Sequence, residues 1–262
     1  MSLPERELTE TQRELIDSVR RMVEREIAPI ARQIDEDERF PTHLIPVFGE
    51  MGLIQARIPE AYGGPGLDLT TTCLLTEEVA KVSLACTPLV GLNSMTALPI
   101  LHIGSEAQKA RWLPHFARNT VMTAVAITEP HAGSDIASIK TRAVRDGDHY
   151  VLNGQKCFIT MGALAEYVTV YAKTGATAEE RSRRGFDNIS AFLVDTRSQG
   201  FRLGRNEPCM GVRATPHSEM FFEDLIVPAE CRIGEEGKGF LGAMSSLDQN
   251  RPIVAANALG VA

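Results

Sequence analysis

The chain has no concentrated basic face: its formal net charge is −7, and Lys and Arg are dispersed except at Arg181, Arg183 and Arg184. Nucleic-acid binding needs basic residues gathered on one surface, so that class is set aside, while a local pocket for phosphates is not. The cysteines Cys73, Cys86, Cys157, Cys209 and Cys231 are odd in number and scattered, with no C-x-x-C pair. Neither a disulfide framework nor a metal site is expected. No apolar run suggests a membrane span, and the acidic start MSLPERELTE reads as neither secretory signal nor Arg-rich transit peptide. A reducing, cytoplasmic compartment is the simplest expectation. Catalytic signatures are missing too. There is no H-E-x-x-H or G-x-S-x-G, and Gly234 to Gly239, GEEGKG, has its glycines in the wrong order for a dinucleotide fingerprint and no Ser or Thr after Lys238 for a P-loop. It reads as a tight entry turn into a helix.

What is present is a composition of ordinary globular type, 44% hydrophobic and 23% charged over 262 residues. From Thr9, apolar residues at Leu15, Val19, Met22, Val23, Ile27, Ile30 and Ile34 mark one helical stripe. Thr9 with Gln12 resembles a capping box, and Pro29 should kink or divide the helix. Further helices are predicted near Thr42 to Met51, Leu69 to Ser83, Thr87 to Ile103 and Ser105 to Arg118, with the Gly/Pro loop Pro59 to Gly66 between the first two and Ser105 as an N-cap.

At Val121 the apolar period changes from that of a helix to that of a strand. Strands are predicted at Val121 to Thr128, Lys140 to Arg145, Tyr150 to Leu152, Lys156 to Thr160, Tyr167 to Ala172, Ile189 to Asp195, Phe201 to Leu203 and Glu219 to Phe222. Asp146-Gly147 and Asn153-Gly154 read as hairpin turns, and Thr174 to Asn188 as a surface loop with solvated arginines. From Gly237 the pattern is helical again. The fold class expected is therefore α+β multidomain: an N-terminal all-helical domain (1–120), a central antiparallel β-barrel or sandwich domain (121–232), and the start of a C-terminal helical bundle (233–262).

The chain is organised around Val121 to Asp135, VMTAVAITEPHAGSD, where a core-reaching strand empties into a loop of small and polar residues. Such a loop brings backbone N–H groups up to an anion. Glu129 and Asp135 flank it but are read as loop builders rather than an acid/base pair. His131, with no carboxylate or thiol fixed by spacing, is weak evidence for catalysis.

TEPHAGSD, DGDHYVLNGQKCFIT, FFEDLIVPAECRIGEEGKGF and LDQNRPIVAANALGVA, in that order, resemble the acyl-CoA dehydrogenase family over essentially the whole chain. The resemblance implies FAD as cofactor, held by Val125, Ala126, Ile127, Thr128, Gly133 and Ser134, with Thr128 at the flavin ring edge and Ser134 near the phosphates. Phe158, Ile159 and Thr160 match the family's second flavin-contacting strand, with Phe158 standing where many relatives carry Trp. Ser134, Asp248 and Arg251 match substrate contacts, the last two to the CoA portion; their i, i+3 spacing also suits a plain intrahelical ion pair. Gly91, Leu92 and Met95 match positions near the acyl end.

The reaction implied is α,β-dehydrogenation of an acyl-CoA thioester to a trans-2-enoyl-CoA, with electrons passed to an electron-transfer flavoprotein and a homotetrameric assembly. The thioester enolate needs hydrogen bonds to its carbonyl and a base shielded from water. The family's base is a Glu beyond position 262 or, in some branches, immediately before the helix arginine, where this chain has Asn250. No residue of the chain is nominated as the base, and the chain alone is expected not to dehydrogenate. Two other readings stay open: a non-catalytic flavin- or CoA-binding module, and a related flavin oxidase or monooxygenase.

Overall fold

The computed structural model describes residues 8–118 and 121–262. Most of the stretch read as neither signal nor transit peptide lies outside them, as do the two residues at the expected boundary between the first two domains. Helix α1, Glu10–Met22, starts at the expected capping box: Thr9 Oγ1 accepts the Gln12 N–H at 3.1 Å and Gln12 Oε1 accepts the Thr9 N–H at 3.0 Å. The helix widens into a π turn, Val23–Ile27, and tightens to a 3₁₀ turn at Ala28–Ile30 before α2, Ala31–Asp37. Pro29, lacking an N–H, divides it as expected, and the wide turn keeps Val23 and Ile27 on the buried stripe.

After α3 (Leu44–Glu50) and α4 (Leu69–Ala80), the helix expected from Thr87 to Ile103 is broken in two. A 3₁₀ segment, Leu84–Leu89, carries Pro88; Gly91 then takes φ +76°, a left-handed conformation that favours glycine, and α5 runs Leu92–Ile103. The stretch Leu84–Ile103 corrects the expectation of no membrane-length run: it spans 20 residues at mean hydropathy 1.5. It is nonetheless 72% buried within the protein and so is accounted for as a core segment. Helix α6, Glu106–Phe116, begins at a second capping box on Ser105.

The strands are β1 (Thr123–Ala126), β2 (Arg142–Asp146), β3 (His149–Thr160), β4 (Tyr167–Lys173), β5 (Ile189–Asp195), β6 (Phe201–Asn206), β7 (His217–Pro228) and β8 (Arg232–Ile233). They form one sheet in the order β6-β7-β3-β2-β4-β5-β8, with β1 on β4. Two pairings, β1 with β4 and β2 with β4, are parallel, so the sheet is mixed rather than wholly antiparallel. Asp146-Gly147 does open a hairpin, closed by the pairing of Asp146 with His149.

Asn153-Gly154 does not turn the chain, and β3 runs through it. There the glycine permits close approach: a Cβ on Gly154 would stand 2.4 Å from Thr141 Oγ1. Within the expected loop Thr174 to Asn188 lies a short helix α7, Ala178–Ser182. The chain ends in α8, Gly239–Val261, entered through the turn predicted at GEEGKG.

Three buried clusters hold these layers. One packs the N-terminal helices around Val19, Ile27, Phe48 and Leu75, and a second fills the sheet interior around Tyr150, Leu152, Phe192 and Met220. The third is shared, joining Ile100 and Phe116 of the helices to Tyr171 and Leu193 of the sheet and Ala243 of α8. Buried Asn93 stitches the helices to β1: its Nδ2 donates to the carbonyls of Phe116 and Val121, and its Oδ1 accepts from Thr123 Oγ1. Each such bond contributes about 1 kcal/mol net and would leave an unpaired buried group if lost. Thus β1 is placed by the helical layer as much as by its own sheet.

Candidate functional site

Strand β3 changes phase at the site. Tyr150, Leu152 and Lys156 are buried at alternate or even spacing, but Cys157 and Ile159 are the buried residues that follow, and Phe158 and Thr160 are exposed. The cause is a β-bulge: Cys157 and Phe158 lie between the pairs Lys156 with Met220 and Ile159 with Ser218, opposite the single residue Glu219. Phe158 takes φ +58°, costly for an aromatic residue, and its side chain is 58% exposed. A large apolar ring held in a strained conformation and turned outward suits a surface that something flat covers.

Opposite the bulge, the loop after β1 is folded around Glu129. Its carboxylate, 3% exposed, accepts the N–H groups of Lys140 at 2.6 Å and Thr141 at 2.9 Å and pairs with Lys156 Nζ at 2.8 Å. Lys156 Nζ also donates to the Ile127 carbonyl at 2.8 Å, and the Cys157 N–H donates to the Thr128 carbonyl at 3.0 Å. The pair therefore fixes the main chain on both sides of Thr128.

Burial pushes the Lys156 ammonium down to about 8, partly offset by Glu129. Burial pushes the Glu129 carboxyl up, but attraction to Lys156 and the hydrogen bonds outweigh that and hold it below its ordinary value. Sequence reading missed Lys156, because nothing in its spacing announces a partner 27 residues away. His131, read as lacking a carboxylate partner, has its Nε2 3.4 Å from Glu129 Oε2. Asp135 is engaged by Ser138 and by Arg184, not by its own backbone.

Bulge and loop form one wall of a cavity of about 390 Å³. Val125, Ile127, Thr128, Phe158, Ile159 and Thr160 line that wall; Thr87, Gly91, Leu92 and Met95 line the second; Leu247, Asn250, Ile253, Val254 and Asn257, a stripe along α8, line the third. Among these lining residues there is no carboxylate. Ala126 is fully buried in the sheet, while Gly133 and Ser134 lie farther along the loop, exposed and outside the cavity lining. Asp248 and Arg251 stand on an exposed face of α8, bonded to each other at 2.7 Å with side chains 65% and 72% exposed.

A flavin fits what is present. Among the described residues Thr128, Ser134 and Thr160 hydroxyls have no partner, a Cβ at Gly133 would meet nothing within 4 Å, and the Asn257 Oδ1 is buried on the cavity wall without a hydrogen bond. Short hydroxyls, open backbone and an outward ring provide what a planar, phosphorylated cofactor needs.

Comparison with known proteins gives two family matches, the acyl-CoA dehydrogenase N-terminal domain over residues 9–120 and middle domain over residues 124–225. Cyclohex-1-ene-1-carbonyl-CoA dehydrogenase of Syntrophus aciditrophicus is 46% identical over 257 residues, covering 98% of this chain and 61% of its own. The butyryl-CoA dehydrogenase structure from Megasphaera elsdenii superposes with a TM-score of 0.88 at 34% identity, over 99% of this chain and 67% of that one. A glutaryl-CoA dehydrogenase from Mycobacterium smegmatis, solved in complex with FADH2, gives 0.85 at 30% identity, over 97% and 63%. The chain thus spans roughly two thirds of the length of these relatives.

Proposed function

Because this chain belongs to the acyl-CoA dehydrogenase family, we propose that it is the N-terminal and middle part of an FAD-dependent enzyme that dehydrogenates an acyl-CoA thioester to the trans-2-enoyl-CoA. The observation that carries the reading is the three-walled, largely apolar cavity with the strained, outward Phe158 on one side and open hydroxyls around it. FAD is the implied cofactor, held by Val125 to Thr128, Gly133, Ser134 and Phe158 to Thr160. When bound there it supplies an acceptor for the hydride lost from the β-carbon.

The chain's own residues do three things in this scheme. The apolar stripe of α8 and the Gly91–Met95 segment exclude water from the thioester, which raises the strength of every polar contact inside. The Glu129–Lys156 pair holds the main chain flanking Thr128 rigid. Asp248 and Arg251 present a polar, exposed pair for the CoA portion of the substrate.

None of the lining residues can remove the α-proton. Asn250, just before Arg251 on α8, lines the cavity, and an amide is not a base. On this reading the base, a carboxylate in this chemistry, is supplied by a group outside the lining residues. Further polypeptide packed on α8, or a second copy in a tetramer, would also cover Leu241, Val254, Leu259 and Val261, all exposed here. An electron-transfer flavoprotein is the acceptor we expect.

The test is spectroscopic. The purified chain should show a flavin band near equimolar with protein, and anaerobic addition of an acyl-CoA should leave that band unbleached. Bleaching by substrate would overturn the assignment of the base to an outside group. The carboxylate-free cavity also favours a second reading, a non-catalytic flavin- or CoA-binding module. Joining the chain to a family C-terminal helical segment that carries a Glu separates the two, since only the enzyme part gains substrate-dependent flavin reduction. Oxygen uptake on acyl-CoA would point to an oxidase instead.

A further inference from the structure

Along the face that α8 turns to the cavity, Leu247, Ile253 and Val254 are aliphatic, and two residues, Asn250 and Asn257, are amides. The two amides differ in their surroundings. Among the described residues Asn257 Oδ1 is closed off from water and accepts no hydrogen bond, whereas Asn250 has no such buried, unmet atom. A buried carbonyl oxygen without a donor costs free energy that an apolar side chain would avoid. Asn is also a poorer helix former than Ala256, Ala258 and Leu259 around it. Neither the packing nor the helix accounts for an amide at this place.

The walls offer Asn257 no proton. On the second wall the one hydroxyl is that of Thr87, and it donates to the Leu84 carbonyl at 2.8 Å. Leu92 and Met95 are apolar, and Gly91, at φ +76°, carries no side chain. Thr128 and Thr160 belong to the bulge wall, where on the reading above they serve the cofactor. Asn250 stands two turns back along α8, about 10 Å away by helix rise. The missing donor therefore arrives with whatever fills the space between the walls.

The order of residues on α8 says where on that ligand the donor sits. The exposed Asp248–Arg251 pair comes first, then Asn250, then Ile253 and Val254, and Asn257 last. A chain that enters beside the polar pair and follows the apolar stripe meets Asn257 at its far end. A hydroxyl is uncharged and both donates and accepts, so it satisfies the amide whichever of its ends is turned to the cavity. An ammonium would have to shed its water with no carboxylate among the lining residues to receive it.

We propose that the acyl group taken by this cavity carries a hydroxyl remote from the thioester, and that Asn257 is the residue that reads it. On the acyl-CoA reading given above, on which this rests, the substrate class is a hydroxylated acyl thioester rather than a plain alkanoyl one.

Titration calorimetry of the whole chain tests it with matched pairs of CoA thioesters. Each pair is an ω-hydroxyacyl-CoA and the alkanoyl-CoA with methyl in place of that hydroxyl, lengthened one methylene at a time from butyryl upward. A hydroxyl buried without a partner is penalised, so the alkanoyl member should win in most pairs. At one length the order should reverse, the hydroxyacyl member binding about tenfold or more tightly, because a site built for a hydroxyl rejects the analogue lacking it. Asn257→Leu should keep its circular dichroism spectrum and lose the reversal. Asn257→Gln carries the same amide one methylene farther into the cavity and should move the reversal to the acyl chain one methylene shorter. No reversal at any length, a reversal that survives Asn257→Leu, or one whose length stays put in Asn257→Gln would each overturn the proposal. Binding of both series without a reversal leaves the acyl-CoA reading standing, whereas binding of neither sinks that reading and the proposal with it.

Discussion

Lys156 and Lys173 lie on strands β3 and β4, 0% and 2% exposed, and each folds a loop around its ammonium group. Lys156 is met by a carboxylate and one carbonyl, Lys173 by two carbonyls and a carboxamide. Burial pushes both ammonium groups down, Lys156 to about 8, with carboxylates partly offsetting it in each case. The difference shows what each loop is built for. A buried ion pair is costly to desolvate and sharply positioned, so it belongs under the main chain that must not move, beside Thr128. Neutral dipoles suffice to hold the surface loop between β4 and β5.

The largest expected effect breaks the first of these arrangements. Lys156→Met leaves Glu129 buried and uncompensated, and should cost roughly 3–5 kcal/mol in urea unfolding together with loss of the flavin band. Glu129→Gln comes next, at roughly 2–3 kcal/mol. It also carries a pH signature. The Glu129 carboxyl is held below its ordinary 4.5, so its stabilisation is complete above that value and drains as pH falls through the lower folded value. Stability against pH should therefore fall less steeply on the acid side in Glu129→Gln than in the parent; an identical acid limb would show that the carboxylate is not the group responsible.

Lys173→Met tests the other loop. A cost of about 1–3 kcal/mol is expected, with trypsin cutting faster after Arg181, Arg183 or Arg184 and the flavin band retained. If cleavage were not accelerated, Lys173 would not be what orders that loop. Phe158→Gly removes an aromatic residue from a left-handed conformation, so stability should change by only about 1 kcal/mol, upward as readily as downward, while flavin retention falls. Smallest of all, Asp248→Asn on the exposed face of α8 should stay within about 0.5 kcal/mol, and any effect should appear in CoA affinity instead.

The elements with local causes were legible in the sequence. The capping box at Thr9, the N-cap at Ser105 and the break at Pro29 depend on residues a few positions apart, and the structure has them where the sequence put them, while the strand expected from Val121 starts at Thr123. The GEEGKG turn and the helix, sheet, helix order follow in the same way. What escaped depends on distant partners. Two parallel pairings involve β1 and β4 or β2 and β4, far apart in the chain, and Gly154 looked like a turn because its real neighbour is Thr141. At the site, Thr128 and Phe158 to Thr160 were named from the resemblance and do line one cavity, whereas Lys156 and Asn257 take their places from partners and walls far away in the chain. The phase change that exposes Phe158 is invisible to an alternation rule, since a bulge is an exception to alternation.

That bulge has a counterpart. Nearer the other end of the same ladder, Glu223 and Asp224 of β7 stand opposite the single residue Asn153, and Asp224, like Phe158, has a positive φ. The irregularity at Asn153 gives β7 one residue too many and the one at Phe158 gives β3 one too many, so His149 with Pro228 and Thr160 with His217 share the same alignment although the segment between them is slipped. The consequence is a rule of inheritance. A lineage that dropped one residue from either strand would misalign everything beyond it, so the two strands can change length only together, and a joint loss would straighten the ladder and remove both positive-φ positions with it.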